Sequence, residues 1–193
     1  MLGLVLLYVG IVLINNGICR LYDVGGRATA VMNVFTGTLS FIVNIIATIM
    51  GNYYAAATGL LFGFTYLFVA ANGIFDLDRR PFGWYSLFVA INAVPCAFIS
   101  LSEDGVRMCL IWLAWGVLWA TGFIELVLKK DLGKFVPYLS IFEGIITAWI
   151  PGFLLLIDKW WEIRALIGIY RCSFLYIILI FYIVEWIDIN YNY

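Results

Sequence analysis

The sequence predicts an all-α membrane protein with six transmembrane helices, arranged as three repeated two-helix hairpins around a pore within the protomer, plus a C-terminal apolar segment. Three observations predict this fold class. The 193 residues are 65% hydrophobic and 12% charged, with a mean hydropathy of +1.03, which is more apolar surface than a soluble domain of this size can bury. Apolar stretches of membrane-spanning length alternate with short polar breaks. The sequence also repeats itself with a step of 53 residues.

The polar breaks define the six predicted spans. They fall at residues 15–27, 51–54, 76–81, 102–107, 129–134 and 158–164. The first span has no basic segment before it and no small-residue cleavage site after it. We therefore expect it to be retained as the first transmembrane helix rather than removed as a signal peptide.

Basic residues are concentrated in alternate loops. The second loop has none and the fourth has only Arg107, whereas the first, third and fifth loops contain Arg20, Arg27, Arg79, Arg80, Lys129, Lys130 and Lys134. Because positive residues favour cytoplasmic loops, we expect a multi-pass protein whose N-terminus lies on the side away from the cytoplasm. We also expect Glu125, near the end of the fifth span, to form a surface ion pair with Lys129 at i+4. Loops this short leave no room for a soluble catalytic domain.

The 53-residue step aligns three pairs of helices. It superimposes Val9-Gly10 on Phe62-Gly63 and Trp115-Gly116, Leu13 on Tyr66 and Trp119, and Met32 on Tyr85 and Tyr138. Parallel repeats arranged around one axis bring equivalent positions together. We therefore expect two tight, mostly apolar layers along this axis, with the glycines allowing the odd-numbered helices to approach closely.

Three of the eight tryptophans form a stripe in the fifth span. Trp112, Trp115 and Trp119 lie at i, i+3 and i+7 and therefore share one helix face. Such a stripe is also typical of core packing or of an aromatic belt at a membrane surface. A belt lies at a helix end, whereas this stripe runs through the middle of an apolar segment. We therefore interpret it as facing the axis.

The composition argues against catalysis. The chain has no histidine and a net charge of -1, so it lacks the commonest metal ligand and general base and has no basic cluster for nucleic acid. No nucleotide-binding or hydrolase motif occurs. No metal or redox spacing is formed by the four cysteines, Cys19, Cys96, Cys109 and Cys172. We expect no cofactor, no metal and no enzymatic activity.

One ionisable residue interrupts the apolar pattern deep within a span. Glu143 lies where the repeat places Gly37 and Ala90, and a carboxyl group at that depth is expensive unless it is protonated or partnered. Two interpretations remain open: a structural hydrogen bond between helices, or a polar contact for a solute that crosses a pore. Thr65 directly precedes Tyr66, and we expect it to point partly toward the axis.

Several long motifs occur in the order found in a known family. They are MLGLVLLYVGIVLI at 1–14, LLFGFTY at 60–66, WYSLFVA at 84–90, LGKF at 132–135 and EGIITAWIP at 143–151, together with the tryptophan stripe. Over about residues 1–160 the chain resembles the bacterial urea/amide channel family. The resemblance implies a passive urea channel of the bacterial inner membrane that supplies a cytoplasmic urease. It also implies a homo-hexamer around a lipid-filled centre, with one pore in each protomer.

The resemblance also assigns residues to the pore. The outer constriction corresponds to Leu2, Leu6, Val9, Trp115 and Leu118, and the inner one to Leu13, Phe62, Tyr66 and Trp119, while Glu143 matches the family's buried pore carboxylate. With Thr65 and Trp112 these residues form the predicted pore lining. Such an apolar slot suits a planar neutral solute and excludes ions, which would lose their hydration. Short aliphatic amides are alternative permeants, and a non-conducting membrane scaffold or sensor is an alternative of another class.

Two features depart from the family. Its gated members have long external loops rich in histidine, whereas the second and fourth loops here are short, so we expect flux that is not gated by protons. Residues 163–193 match nothing in the family, and we expect a channel domain at 1–160 followed by a C-terminal extension at 161–193. Arg171 and Glu185 interrupt the apolar segment 165–187. This favours a helix packed outside the bundle, with a seventh span as the alternative.

Overall fold

Six long helices make up the part of the chain that the structure describes. The computed structural model describes residues 1–103 and 105–160, and the C-terminal extension with its apolar segment lies outside them. The helices are α1 (Leu2–Leu21), α2 (Gly26–Ile49), α3 (Tyr53–Phe75), α4 (Arg80–Glu103), α5 (Val106–Leu126) and α6 (Phe135–Leu156). Each is long and apolar enough to cross a membrane. The predicted fold class of six membrane-spanning helices is confirmed.

The end of α1 differs from the prediction. The polar residues from Asn15 onward predicted a break, but α1 continues to Leu21. The reason is a reciprocal pair of hydrogen bonds between the side-chain amides of Asn16 in α1 and Asn33 in α2, with N···O distances of 3.0 and 2.7 Å. A polar side chain that finds a partner on a neighbouring helix is tolerated within a span.

The backbone repeats the pattern seen in the sequence. Asp23, Asp76 and Lys129 each lie just after an odd-numbered helix, 53 residues apart, and have φ angles of 51°, 51° and 57°. Left-handed backbone is uncommon for residues other than glycine, so its recurrence at three positions 53 residues apart marks them as equivalent positions of a structural repeat. At the other end of the bundle, Gly51 and Gly105 follow α2 and α4 with φ angles of 80° and 81°. The chain therefore contains three structural repeats.

The helices form a closed ring whose tightest pairs cross the boundaries between repeats. The most extensive contacts join α2 to α3, α4 to α5 and α6 to α1, and the last of these pairs closes the ring. Contacts within the predicted hairpins α1–α2, α3–α4 and α5–α6 are sparser. Each repeat therefore packs its odd-numbered helix mainly against the even-numbered helix of the repeat before it.

The repeated glycines explain this pairing and correct one prediction. A Cβ added at Gly63 would lie 3.2 Å from Oγ of Ser40 in α2, and one at Gly116 would lie 3.2 Å from Cβ of Ala93 in α4. Both glycines thus face the preceding even-numbered helix. The expectation that they bring the odd-numbered helices close to each other is wrong, because larger side chains of those helices occupy the interior.

Helices α1 and α6 approach each other closely along their whole length. Three glycines of α1 recur every seventh residue on this face: Gly3, Gly10 and Gly17. A Cβ added at Gly10 would lie 2.6 Å from the backbone nitrogen of Trp149, and one at Gly17 would lie 2.5 Å from the carbonyl oxygen of Pro137. Gly152 of α6 is equally close to α1, since its Cβ would lie 2.5 Å from the nitrogen of Leu7. The two backbones therefore touch along their length.

The helix α6 contains an irregular turn and a shift of register. Its backbone is α-helical over Phe135–Glu143, widens to a π turn over Gly144–Trp149, and becomes α-helical again over Ile150–Leu156. The pattern of buried residues shows the shift. Asn33 and Thr36 of α2 correspond to Ser86 and Val89 of α4 after 53 residues, but these correspond to Ser140 and Glu143 of α6 after 54. The second step is therefore one residue longer than the first. Tyr138, which a uniform step would place with Tyr85, is 40% exposed. One extra residue therefore precedes this part of α6.

Gly10→Ala tests the contact between α1 and α6. We expect it to lower the free energy of unfolding by about 1–3 kcal/mol or more, because the added methyl group meets backbone atoms that cannot rotate away. Thermal unfolding of purified protein in detergent measures the effect. Gly25→Ala is the control, since a Cβ there has no neighbour within 4 Å. Equal unfolding temperatures for the two variants would contradict the close packing.

Candidate functional site

A cavity of about 490 Å³ lies between the helices at the end of the bundle that carries the first, third and fifth loops. We call this end the basic end. All six helices contribute to the cavity walls, and charged residues surround its entrance, among them Arg20, Asp23, Arg79 and Glu125. Seven of the predicted pore residues line it: Leu13, Phe62, Thr65, Tyr66, Trp115, Leu118 and Trp119. The structure therefore brings the predicted inner constriction into one site.

The other predicted pore residues lie outside this cavity. Leu6, Val9 and Trp112 are buried in the hydrophobic core, on the side of the cavity away from the basic end. Leu2, at the start of α1, is 51% exposed. Glu143 is buried in α6 and does not border the cavity either. Side chains thus fill the interior beyond the cavity in this conformation.

The tryptophan stripe packs around Phe62 of α3. The Phe62 ring centroid lies 4.6 Å from that of Trp115 at an interplanar angle of 79°, and 4.9 Å from that of Trp119. Trp112 lies 5.2 Å from Trp115 at 83°. Edge-to-face contacts of this kind are favourable between aromatic rings. The three tryptophans are buried, so the stripe is not an aromatic belt at a membrane surface.

Hydrogen bonds tie two of these tryptophans to threonines on other helices. The indole nitrogen of Trp119 donates to Oγ1 of Thr65 at 3.2 Å, and that of Trp115 donates to Oγ1 of Thr147 in α6 at 2.8 Å. Thr65 was among the predicted pore residues. Thr147 was not, although it lies in the motif at 143–151, because the sequence does not indicate which helix faces an indole nitrogen. Tyr85 is tied to the same region, since its hydroxyl donates to the Leu61 carbonyl at 2.8 Å.

Glu143 of α6 is buried without a hydrogen-bond partner in the part of the chain that the structure describes. It is 1% exposed, and neither carboxyl oxygen has a hydrogen-bond partner among the described residues. The longer step in α6 places it level with the buried residues Thr36 and Val89, rather than with Gly37 and Ala90 as a uniform step predicted. A buried carboxyl group without a partner is expensive to hold charged. The structural hydrogen bond between helices is therefore not formed within the described part of the chain.

Glu125 has a different partner from the one predicted. Its carboxylate accepts two hydrogen bonds from the guanidinium of Arg20, at 2.7 and 2.5 Å, whereas the sequence predicted Lys129. The reason is that α1 does not stop at Asn15, so Arg20 remains on a helix beside α5. The Glu125 side chain is only 12% exposed, and the pair bridges α1 and α5 at the entrance of the cavity.

At the opposite end of the bundle, another arginine contacts the segment that follows α6. The guanidinium of Arg107, at the start of α5, lies 5.1 Å from the ring centroid of Trp160 and donates a hydrogen bond to the carbonyl oxygen of Trp160. Trp160 itself is almost completely buried and belongs to the hydrophobic core. Contact of a guanidinium with an aromatic face is favourable. The segment after α6 is thereby held against the start of α5.

Most of the described part of the chain matches a known protein family. The model of the AmiS/UreI family transporters matches residues 1–159. The chain belongs to this family. It is a multi-pass membrane protein whose homologues are channels and transporters.

Two relatives show which proteins of this family the chain is similar to. The chain is 52% identical to the acid-activated urea channel of Helicobacter pylori, over 83% of this chain and 100% of that protein. It is 40% identical to a putative amidate substrates transporter protein of Mycolicibacterium smegmatis, over 82% of this chain and 78% of that protein.

Two solved structures are similar to this fold. One is a cryo-EM structure of the Helicobacter pylori urea channel in a closed state, with a TM-score of 0.80 and 54% identity, covering 83% of this chain and all of that one. The other is a crystal structure of the urea channel from the same organism, with a TM-score of 0.78 and 55% identity, covering 83% and 99%. These matches confirm the all-α class of six membrane-spanning helices.

Neutralising the pair Arg20–Glu125 tests its contribution to the ring. We expect Arg20→Ala and Glu125→Gln each to lower the free energy of unfolding by about 1 kcal/mol, and the double variant to lose little more than either single one. Unfolding in detergent, at low salt and at about 1 M salt, measures the coupling. Arg80→Ala is the control, because its ion pair with Asp78 is exposed and joins residues only two positions apart in the chain. Additive effects of the two substitutions would contradict the coupling.

Proposed function

We propose that this protein is a passive channel for urea across the bacterial inner membrane. The observation that carries the proposal is the cavity that ends at Phe62, Trp115 and Trp119, in a chain 52% identical to the whole length of an acid-activated urea channel. We include in the proposed pore the twelve residues predicted from the sequence. The proposed outer constriction contains Leu2, Leu6, Val9, Trp115 and Leu118, and the inner one contains Leu13, Phe62, Tyr66 and Trp119. Thr65 and Trp112 complete the proposed lining, with Glu143 as the buried pore carboxylate.

The chemistry of the cavity wall suits a small neutral solute. Its innermost part consists of aromatic and aliphatic side chains, while the charged residues lie at the entrance. A planar solute such as urea can pass between flat rings with partial dehydration. An ion would lose hydration that such a wall does not replace. The protein would therefore conduct urea and exclude ions, and it would act without catalysis.

The closed half of the interior is part of the proposal. Leu6, Val9 and Trp112 fill the axis beyond the cavity, so this conformation would not conduct. One of the similar solved structures is of a urea channel in a closed state. We infer that opening requires these side chains to separate. The rings of the inner constriction would line the cavity in both the closed and the open conformation.

Topology, assembly and physiological role follow from the same proposal. The basic end would face the cytoplasm, and the N-terminus the periplasm, because loops rich in lysine and arginine stay on the cytoplasmic side. Large apolar side chains such as Phe35, Ile42 and Phe98 are exposed on the outside of the bundle, which suits contact with lipid and with other copies in a homo-hexamer. A passive channel moves urea only down its gradient, so a cytoplasmic urease that consumes urea would sustain uptake.

Short aliphatic amides are the second candidate permeant. The observation in their favour is the 40% identity to a putative amidate substrates transporter protein. Acetamide is planar and neutral like urea but has a methyl group in place of one amino group. An aromatic and aliphatic wall accepts that methyl group without loss of a hydrogen bond, so the ratio of the two permeabilities separates the candidates.

Solute flux into proteoliposomes tests the proposed function. We expect rapid urea uptake that exceeds acetamide uptake, and a several-fold change in flux or in their ratio in Trp119→Ala and Tyr66→Ala, because both side chains border the inner part of the cavity. Stopped-flow light scattering measures vesicle swelling. Ile91→Ala, at an exposed position of α4, is the control. Swelling no faster than in empty vesicles would favour a scaffold or sensor, and faster acetamide uptake would favour an amide channel.

The pH dependence of flux tests the absence of a proton gate. We expect urea flux to change little between about pH 5 and pH 8, because the chain has no histidine, the side chain that ordinarily titrates in this range. Rapid mixing at a series of external pH values, with the internal pH fixed, gives the profile. A several-fold rise in urea flux on lowering the external pH from about 7.5 to 5.5 would mean that a carboxylate gate has replaced histidine.

A further inference from the structure

The two tryptophans that border the cavity are held by the same kind of hydrogen bond, which runs from the indole nitrogen to the hydroxyl oxygen of a threonine. Trp115 and Trp119 lie four residues apart on α5, and their indole nitrogens donate to threonines on two different helices, Thr147 of α6 and Thr65 of α3. All four side chains are buried. The two threonines do not occupy equivalent positions in the repeat, so the recurrence of this bond does not follow from the internal symmetry.

The indole nitrogen of tryptophan can only donate a hydrogen bond, and each threonine acts as the acceptor because its own hydrogen is already used. The hydroxyl group of Thr147 donates to the carbonyl oxygen of Glu143 at 2.6 Å, and that of Thr65 donates to the carbonyl oxygen of Leu61 at 2.6 Å. A hydroxyl group has one hydrogen and two acceptor lone pairs. Because the hydrogen is used within the helix, only the acceptor side of each oxygen faces the indole.

From this geometry we propose that Thr147 and Thr65 are positioning residues that fix the rings of Trp115 and Trp119 and so determine which neutral solutes the constriction admits. The inference rests on the proposed function. Each indole can turn only by leaving its N–H group unpaired in a buried site, which is unfavourable. Both rings therefore keep their contacts with Phe62, at 4.6 and 4.9 Å.

The same bonds determine what the wall offers to a passing solute. With the indole N–H groups and the threonine hydrogens all used inside the protein, this part of the wall presents ring faces and hydrocarbon. The carbonyl oxygen of an amide then finds no donor on these four side chains. The solute is not held there, which favours fast passage, and selection depends on the fixed spacing of the rings.

Thr147→Val is the main variant that tests this proposal, because valine keeps the shape of threonine and removes the acceptor. We expect it to lower urea flux about fivefold to tenfold, the factor that corresponds to one buried hydrogen bond, and to change the ratio of urea to acetamide flux. Thr147→Ser keeps the acceptor and should retain the wild-type ratio. Thr36→Val is the matched control, because Thr36 is also a buried helical threonine but donates to the carbonyl of Tyr8, at 3.3 Å, and contacts no indole nitrogen.

A second background separates positioning of the ring from packing of the helices. In Trp115→Phe there is no N–H group to orient, so adding Thr147→Val should leave the flux ratio unchanged. Equal effects of Thr147→Val in the tryptophan and phenylalanine backgrounds would overturn the proposal, as would loss of the wild-type ratio in Thr147→Ser. The pair Thr65→Val and Trp119→Phe gives an independent cycle, and it decides the question if Thr147→Val does not fold.

Solute flux through the wild-type protein in the same vesicles distinguishes failure of this inference from failure of the proposed function. Without solute flux in the wild type, the proposed function fails, and the positioning role fails with it. With normal wild-type flux and an unchanged flux ratio in both folded valine variants, only the positioning role fails. Each variant is compared at equal amounts of reconstituted protein with the unfolding temperature measured alongside.

Discussion

The interior of this protein depends on the backbone contact between α1 and α6. Helices connected in sequence are neighbours through their loops, but the first and last helices of the ring are joined only by packing. Gly3 and Gly10 of α1 and Gly152 of α6 allow the two backbones to touch, and a closed ring is what turns one face of every helix inward. The aromatic layers around Phe62 and the cavity beneath them exist because this junction closes.

Inside the ring, polar groups are arranged so that few remain available. The hydroxyl groups of buried serines and threonines donate mostly to backbone carbonyl oxygens, and Asn16 and Asn33 satisfy each other. Among the described residues, buried side-chain atoms without a partner occur on Asn72, which borders the cavity, and on Glu143. Because most of the buried hydrogen-bond donors are already bound within the protein, the interior offers a solute few polar contacts despite its many polar residues. Glu143 differs from most of the buried polar residues described, because both of its carboxyl oxygens lack a partner.

The fold was predictable from the sequence to the extent that it depends on composition and period. Hydropathy gave the number of spans, and the 53-residue step gave the repeats and the residues around Phe62. Features that depend on tertiary partners were missed: the continuation of α1 past Asn15, the ion pair of Glu125 with Arg20, and the bond from Trp115 to Thr147. Helix pairing was also wrong, because a glycine in a sequence shows that something approaches closely without showing which helix. The pore assignment stays a prediction.

Closure of the ring by packing has a consequence for chain connectivity. Gly3, near the start of α1, lies beside Leu155 and Leu156 at the end of α6, since a Cβ at Gly3 would be 2.9 Å from Cβ of Leu155 and 3.2 Å from the nitrogen of Leu156. The start of the first helix and the end of the sixth thus lie side by side, an arrangement that permits circular permutation of the six helices. Each of the three helix pairs across repeat boundaries joins an even-numbered helix to an odd-numbered one. In terms of packing around the ring, no helix is therefore the first or the last. Any of the loops at this end of the ring is, in topological terms, an equivalent place for the polypeptide to begin.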